Sequence, residues 1–343
     1  MMDTSSGTVV VGPWVARRVF SILHRPELFT AALIVLVSVT IGVINPDFYQ
    51  LSTLFDLLRS CTVVGLFALG VLVVLAAGGI DVSFTAIAAF TMYAVTKMTL
   101  QVWPEAPFAV ILLTGVATGT FLGSVNGLLV YKLEVPSLIV TIGTQYLFRG
   151  ILLTFIGTTF FMDIPRSMDE FGQMSLVRQL TEQGSVTAVP AAVALLLTMT
   201  AVTAYLLKRT LMGRAIYAIG GSLNIAARLG YDLRVVQIFV FAYAGLLAGM
   251  AGIVHVASSR LANPFDLVGT ELDVIAAVIL GGARITGGTG SVVGTLLGVV
   301  LVTLINNVLI LAGIPSAYQK LIVGVFILIA GAMIALKRTP GIT

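Results

Sequence analysis

Residues 61–100 read CTVVGLFALGVLVVLAAGGIDVSFTAIAAFTMYAVTKMTL. Two apolar runs, 61–77 and 83–100, are separated only by the glycine-containing stretch 78–82. Each run is close to the roughly 20 apolar residues that cross a hydrocarbon core of about 30 Å as an α-helix. The pattern therefore predicts two membrane helices that are joined by either a tight hairpin or a break.

The rest of the chain continues this pattern. Of its 343 residues, 58% are apolar, 10% are charged and 35 are glycine, whereas about 25% of the residues in an average globular chain are charged. We therefore expect an all-α, polytopic membrane protein with about ten transmembrane helices. The ten apolar runs lie at about 28–45, 61–77, 83–100, 107–131, 137–157, 187–207, 235–256, 271–282, 290–313 and 318–336. The eighth of these runs is short for a complete span.

Basic residues are divided unequally between the two sides of this arrangement. With an even number of spans, both termini lie on the same side of the membrane. Loops on that side hold twelve Lys and Arg residues, and loops on the other side hold about six. The positive-inside rule therefore predicts that both termini are cytoplasmic. The twelve residues are Arg17, Arg18, Arg25, Lys132, Lys208, Arg209, Arg214, Arg228, Arg234, Arg284, Lys337 and Arg338.

This topology divides the chain into a cytoplasmic N-terminal segment 1–27, a transmembrane domain 28–336 and a cytoplasmic tail 337–343. The first apolar run has no small-residue cleavage pattern behind it, so it is predicted to be a retained helix. Two longer polar segments interrupt the transmembrane domain. Segment 158–186 is predicted to be periplasmic, is mildly acidic, and is long enough to form a lid or a docking surface. Segment 208–234 is predicted to be cytoplasmic.

The cytoplasmic segment 208–234 carries five basic residues and one acidic residue. Within it, Ser222 to Leu229 is predicted to form a short helix, with Ser222 as the N-cap and Gly230 as the stop. A basic loop of this kind can simply fix the topology. A capped helix between two glycine turns is more typical of a rigid projection that contacts a partner protein.

Glycines recur at a helical spacing in three of the apolar runs, and small residues four apart allow helix backbones to approach closely. We therefore expect these glycines to pack the helix bundle. They are Gly115, Gly119, Gly123 and Gly127, then Gly245 and Gly249, and then Gly290, Gly294 and Gly298.

Polar residues within the apolar runs are few. A charged group at membrane depth costs about 2.5 to 3.5 kcal/mol, so such groups often mark a transport pathway. The candidates are Asp81, Asn126, Gln145, Arg149 and Asn306. Each also has a structural interpretation. Asp81 can cap the helix that follows it, Arg149 can pair with Asp81 or with backbone carbonyls, and the asparagines can join helices by hydrogen bonds.

Several classes of function are disfavoured by what the sequence contains. A single cysteine, Cys61, and two histidines, His24 and His255, provide no metal site, and no cofactor is expected. No catalytic motif and no phosphate-binding loop occurs, so the chain is predicted not to be an enzyme. The net charge of +4 is too small to indicate binding to nucleic acid.

Transport of a solute is the class of function that remains, and the source of its energy can be inferred from the charged residues. An ion-coupled carrier normally has carboxylates near the bilayer midplane, and Asp81 is the only fair candidate in the sequence. We therefore expect the energy to enter through another protein at the cytoplasmic loop. A self-sufficient, ion-coupled secondary carrier of small polar solutes is the alternative.

A series of motifs then identifies a family. The motifs are AGGIDVS at 77–83, VPSLIVTIGT at 135–144, YLFRG at 146–150, GRAIYAIGG at 213–221, NIAARLG at 224–230, AAVILGG at 276–282 and GGTGS at 287–291. Together they resemble the membrane permease of bacterial ABC importers for ribose and related monosaccharides, over residues 40 to 336. The early stretch Ile44-Asn45-Pro46 and the run 81–84 are also similar to the autoinducer-2 importers of that family.

The resemblance implies a multi-pass permease of the bacterial inner membrane that works by alternating access. Its partners would be ATP-binding cassette subunits, a periplasmic substrate-binding protein and a second permease, identical or related. A sugar or sugar-like solute would be the cargo. The matching motif implies that the ATPase-coupling positions are Gly221, Asn224, Ala227, Arg228 and Gly230.

Overall fold

The computed structural model describes residues 26–180 and 186–311, and beyond these only positions 318, 321, 324, 325 and 328. Most of the N-terminal segment 1–27, most of the tenth apolar run at 318–336 and the tail 337–343 lie outside the described residues. The structure therefore bears on the first nine apolar runs.

Twelve α-helices and one β-hairpin form the described part of the chain. The elements are α1 Pro26–Ile44, α2 Leu51–Ala76, α3 Phe84–Val102, α4 Phe108–Leu133, α5 Ser137–Ile151, α6 Arg166–Gln173, β1 Ser175–Leu180, β2 Val186–Pro190, α7 Ala192–Arg209, α8 Leu211–Gly221, α9 Leu223–Arg228, α10 Leu233–Ser259, α11 Glu271–Leu280 and α12 Val292–Leu311. A 3-10 turn at Pro46–Tyr49 joins α1 to α2, and a π-helical turn at Leu152–Ile156 extends α5.

Six helices of the described residues are long and apolar enough to cross a membrane: α1, α2, α4, α5 with its π-helical turn, α7 and α10. The predicted class, an all-α polytopic membrane protein, is therefore confirmed. Most helix bounds agree with the apolar runs. Helix α2 begins ten residues before its run, because the polar residues Asp56 and Arg59 in its first turns hide the helix from a hydropathy pattern.

One apolar run and one connecting stretch form elements other than full spans. The eighth run forms α11, which has only 10 residues, so the expectation that it is short is confirmed. Residues 77–83 contain no helical turn and separate α2 from α3 as an irregular segment. We call residues 77–83 the break.

Helices α2 and α10 occupy the centre of the bundle, with 67% and 72% of their apolar windows buried, against 17% for α1. Helix α10 packs along α4 through glycines. A Cβ added at Gly119 would overlap the carbonyl oxygen of Gly245, and one added at Gly245 would overlap that of Gly119. The predicted packing role of these glycines is confirmed, because the two backbones are in direct contact.

The described residues of segment 158–186 fold into a small unit, which we call the outer unit. Helix α6 is followed by an antiparallel hairpin in which Val177 lies opposite Val189. Phe171 of α6 stacks on Phe108 with ring centroids 3.9 Å apart. Oδ1 of Asp169 pairs with Nε of Arg260 at 2.7 Å, and Arg260 is the residue that directly follows α10. Strand β2 occupies the start of the apolar run 187–207, so helix α7 begins later than the pattern predicts.

The α4–α10 contact makes a first prediction. Replacing Gly119 with alanine introduces a methyl group where the carbonyl of Gly245 lies, and overpacking of this kind costs about 1 to 3 kcal/mol. We expect thermal unfolding of the detergent-solubilised protein at a clearly lower temperature. The matched control is Gly143→Ala on α5, whose added Cβ has nothing within 4 Å. Equal melting temperatures for the two variants would contradict close backbone contact.

Candidate functional site

The break places Asp81 at the start of α3. Gly78 adopts a φ of 81°, which allows the chain to turn after α2. Oδ1 of Asp81 then accepts hydrogen bonds from the Ser83 amide at 2.8 Å and from the Ser83 hydroxyl at 2.6 Å. Asp81 therefore fixes Ser83, the residue that precedes α3, but no side chain among the described residues caps the first amides of the helix itself.

Helix α4 joins this Asp81–Ser83 pair from the opposite side. Nδ2 of Asn126 donates to the Ser83 hydroxyl oxygen at 2.6 Å. Asp81 is 2% exposed and Asn126 is fully enclosed. Oδ2 of Asp81 and Oδ1 of Asn126 are both enclosed and have no hydrogen-bond partner among the described residues. The three residues form one buried polar chain with an unused acceptor at each end.

Two side chains of helix α5 accept hydrogen bonds from backbone amides of the break. The Ser137 hydroxyl accepts from the Ile80 amide at 2.8 Å, and the Thr141 hydroxyl accepts from the Val82 amide at 3.4 Å. Two of the motifs that are far apart in the sequence, 77–83 and 135–144, therefore meet. The irregular backbone has its amides satisfied inside the protein, which a membrane interior requires.

A second polar cluster lies next to the first and was missed by the sequence analysis. Glu271, the first residue of α11, is 8% exposed. Its Oε1 accepts from the Thr85 hydroxyl at 2.5 Å and from Nε2 of Gln145 at 2.9 Å. The prediction that Asp81 is the only fair carboxylate candidate within the membrane domain was therefore incomplete, because Glu271 is a second buried carboxylate. The available signal was an acidic residue at the start of a short apolar run.

The remaining pathway candidates are placed as follows. Arg149 is partly exposed on α5, one helical turn after Gln145. In residues 26–180 and 186–311 no carboxylate or carbonyl pairs with its guanidinium, so the alternative pairing with Asp81 is not formed. Asn306 is partly buried on α12, which packs against α1, α2 and α11, and no hydrogen bond joins it to the other candidates. The structure therefore joins two of the five predicted residues, Asp81 and Asn126, through Ser83, and places Gln145 in the second cluster with Glu271.

Segment 208–234 contains the predicted short helix. Ser222 caps α9 by accepting from the Ile225 amide, and Gly230 has a φ of 84°, as expected for a helix stop. Ala226 is fully enclosed and anchors the helix. The predicted coupling residues are exposed: Gly221, Asn224, Ala227, Arg228 and Gly230. Three apolar side chains are exposed with them: Leu223, Ile225 and Leu229.

A glycine junction connects this segment to the break. Gly220 at the end of α8 lies against Gly78 after α2 and against Gly287 in the turn after α11. The Gly288 amide donates to the Ala76 carbonyl at 3.0 Å. Tyr217 adds a hydrogen bond from its hydroxyl to the Gly290 carbonyl at 2.9 Å, and burial raises the pKa of Tyr217. Glycines from three segments that are distant in sequence therefore meet at one junction.

Comparison with known proteins identifies the class to which this geometry belongs. Residues 53–331 match the family described as "Branched-chain amino acid transport system / permease component". The ribose import permease protein RbsC of Escherichia coli is 35% identical over 87% of this chain and 90% of its own length. A probable ABC transporter permease protein of the same species, YphD, is 31% identical over 96% and 95%. The autoinducer 2 import system permease protein LsrC of an Enterobacter species is 30% identical over 90% and 86%. No solved structure is significantly similar to the chain.

The described fold is that of a multi-pass membrane permease, and the apolar helices and the relatives place it in the bacterial inner membrane. The chain belongs to the family whose description is "Branched-chain amino acid transport system / permease component", and its main sequence interpretation, the membrane subunit of an ABC importer, is confirmed. The secondary-carrier alternative is not supported.

The glycine junction makes a second prediction. Gly220→Ala places a methyl group against the Ala76 carbonyl and 2.5 Å from the Gly288 amide nitrogen, so we expect a loss of about 1 to 3 kcal/mol in the free energy of unfolding. Gly221→Ala is the matched control, because its Cβ meets nothing within 4 Å. Thermal unfolding of both variants in detergent measures the difference. If Gly221→Ala is the more damaging variant, the junction is not as tight as described.

Proposed function

We propose that the chain is the membrane subunit of an importer for a ribose-type monosaccharide, driven by partner ATPases through alternating access. The observation that carries this proposal is the likeness to ribose import permeases over nearly the whole chain. The matching family description names branched-chain amino acids instead. We give more weight to the relatives, because they match individually over about nine tenths of their length.

The proposed topology has ten spans and cytoplasmic termini, with segment 208–234 inside and segment 158–186 outside. It is supported by the basic residues of the loops and by the positions of the folded polar units at opposite ends of α10. Helix α9 follows α8 and precedes α10, whereas the Asp169–Arg260 pair lies beyond the last residue of α10. The two units therefore lie at opposite membrane faces.

The ATPase partner is proposed to bind α9. This helix presents three exposed apolar side chains beside the positive charge of Arg228, while its buried face is fixed by Ala226. A short helix held in this way moves as a rigid unit when a partner pushes it. The glycine junction gives that motion a direct route to the break, since Gly220 is in backbone contact with Gly78.

The substrate-binding protein is proposed to dock on the outer unit of α6 and the hairpin. This unit is tied to the bundle by the Phe108–Phe171 stack and by the Asp169–Arg260 pair. It presents a folded surface rather than a free loop. A second permease, identical or related, completes the proposed assembly.

The pathway is proposed to run beside α5, where Gln145 and Arg149 are partly exposed. Asp81 and Asn126 are enclosed in this conformation, so we assign them to the wall, where they hold the break in place. We also propose Asn306 as a pathway residue, and its position within an apolar run is the only support for this. Unpaired polar groups in a membrane interior are costly, and a polar cargo that hydrogen-bonds to them offsets part of that cost.

The partner proposal is tested by purifying the tagged chain from its native membrane in mild detergent and identifying the proteins that accompany it. We expect a stoichiometric ATPase, a permease partner and ATP-dependent uptake of ribose by membrane vesicles. A chain that arrives alone, with uptake driven by an ion gradient, overturns the proposal. ATP-dependent uptake of autoinducer-2 or of a branched-chain amino acid, without ribose uptake, overturns the sugar assignment only.

The coupling role of α9 makes a separate prediction. Arg228→Glu reverses the charge on the proposed ATPase contact, so we expect ATP hydrolysis by the complex to lose its link to uptake while the chain remains inserted and folded. Arg234→Glu makes the same change in charge at another exposed position outside α9 and serves as the control. Uptake is measured together with ATP hydrolysis. Unchanged uptake by Arg228→Glu would contradict the coupling assignment.

A further inference from the structure

We propose that Glu271 and Gln145 form a binding site for sugar hydroxyl groups inside the permease, with Glu271 as the acceptor. The proposal rests on the function proposed above and names the contact that the sugar makes during its passage. The site involves α11, α5 and the start of α3, and it differs from the enclosed Asp81 cluster.

The site lies at about half the depth of the membrane. Helix α11 has 10 residues and ends at the turn that carries Gly287, which is part of the glycine junction. At about 1.5 Å per residue, Glu271 is about 15 Å along α11 from the turn that follows the helix, which is half of a hydrocarbon core of about 30 Å. Helix α5 gives a similar depth, because Gln145 follows the break-binding Ser137 by two helical turns.

Two helices begin at this level. Helix α3 starts at Phe84 after the break, and α11 starts at Glu271 after the irregular segment 260–270. The Thr85–Glu271 hydrogen bond joins their first turns. Helices that begin inside a transporter typically surround the substrate site, because their first turns present polar backbone groups at the midplane.

The Glu271 carboxylate is fixed in orientation, but only one of its two oxygens accepts hydrogen bonds. Thr85 and Gln145 both donate to Oε1. Oε2 has no hydrogen-bond partner in residues 26–180 and 186–311, and it is not among the fully enclosed polar atoms. A carboxylate held by one oxygen presents the other as a strong acceptor for an O–H group. In contrast, the unused oxygens of Asp81 and Asn126 are enclosed.

Neighbouring groups match the chemistry of a polyol. Arg149 lies one turn beyond Gln145, is partly exposed and offers guanidinium donors that no acceptor in the described residues occupies. The Gln145 side-chain oxygen adds a second acceptor, because only its Nε2 is used. A sugar hydroxyl both donates and accepts, so it can bridge the carboxylate and the guanidinium.

The test is Glu271→Gln in proteoliposomes that contain the complete transporter, with labelled ribose as the probe. The amide oxygen can still accept from Thr85 and Gln145, while the NH2 group replaces the open acceptor. We expect the maximal rate of ATP-dependent uptake to fall about 10- to 100-fold, because the variant loses a hydrogen bond between the sugar and a charged group. The ribose concentration at half-maximal rate stays unchanged, because the binding protein captures the sugar.

Glu105→Gln is the matched control, because it makes the same chemical change at an exposed position away from the site. We expect it to keep its uptake, and we expect both variants to unfold at the temperature of the unmodified protein. Glu271→Gln with normal uptake overturns the inference, and so does a parallel loss of uptake and thermal stability. If the unmodified complex takes up no ribose, the proposed function itself fails, and the inference fails with it.

Discussion

A membrane interior offers no water to hydrogen-bond an exposed backbone, and the whole structure depends on how this chain meets that constraint at the break between α2 and α3. The amides of Ile80, Val82 and Ser83 are all satisfied by side chains, from Ser137, Thr141 and Asp81. Without these partners, residues 77–83 would have to continue as a helix. The first turn of α3 would then no longer meet the first turn of α11.

This arrangement creates a polar region in a protein that is otherwise strongly apolar. Ser83 and Thr85 are two residues apart, and each belongs to a different cluster. The cluster of Asp81 fixes the break, and its unused carboxylate oxygen is enclosed. The cluster of Glu271 is also mostly buried, but the unused oxygen of Glu271 is not among the enclosed polar atoms. This difference is the basis for proposing that Glu271, and not Asp81, contacts the cargo.

The glycine junction explains how a cytoplasmic event can reach this region. Gly78, Gly220 and Gly287 are in backbone contact, so α8, the break and the turn after α11 meet at one point. From this point, the break leads to the polar cluster of Asp81, and helix α11 leads back to the polar cluster of Glu271. Cores of this density transmit a displacement rather than absorb it. A movement of α9 therefore has a short mechanical path to the proposed sugar contacts.

Local patterns in the sequence were sufficient for the membrane class, most helix bounds, the capped helix at Ser222 and the close packing of the glycines. Each of these depends on hydrophobicity, helical period or capping chemistry within one segment. The sequence could not show that Glu271 meets Thr85 and Gln145, or that Gly78, Gly220 and Gly287 meet, because these contacts join residues that are far apart in the chain. It also could not separate Asp81 from Glu271 in role. Only tertiary packing decides which carboxylate oxygen is enclosed and which remains open.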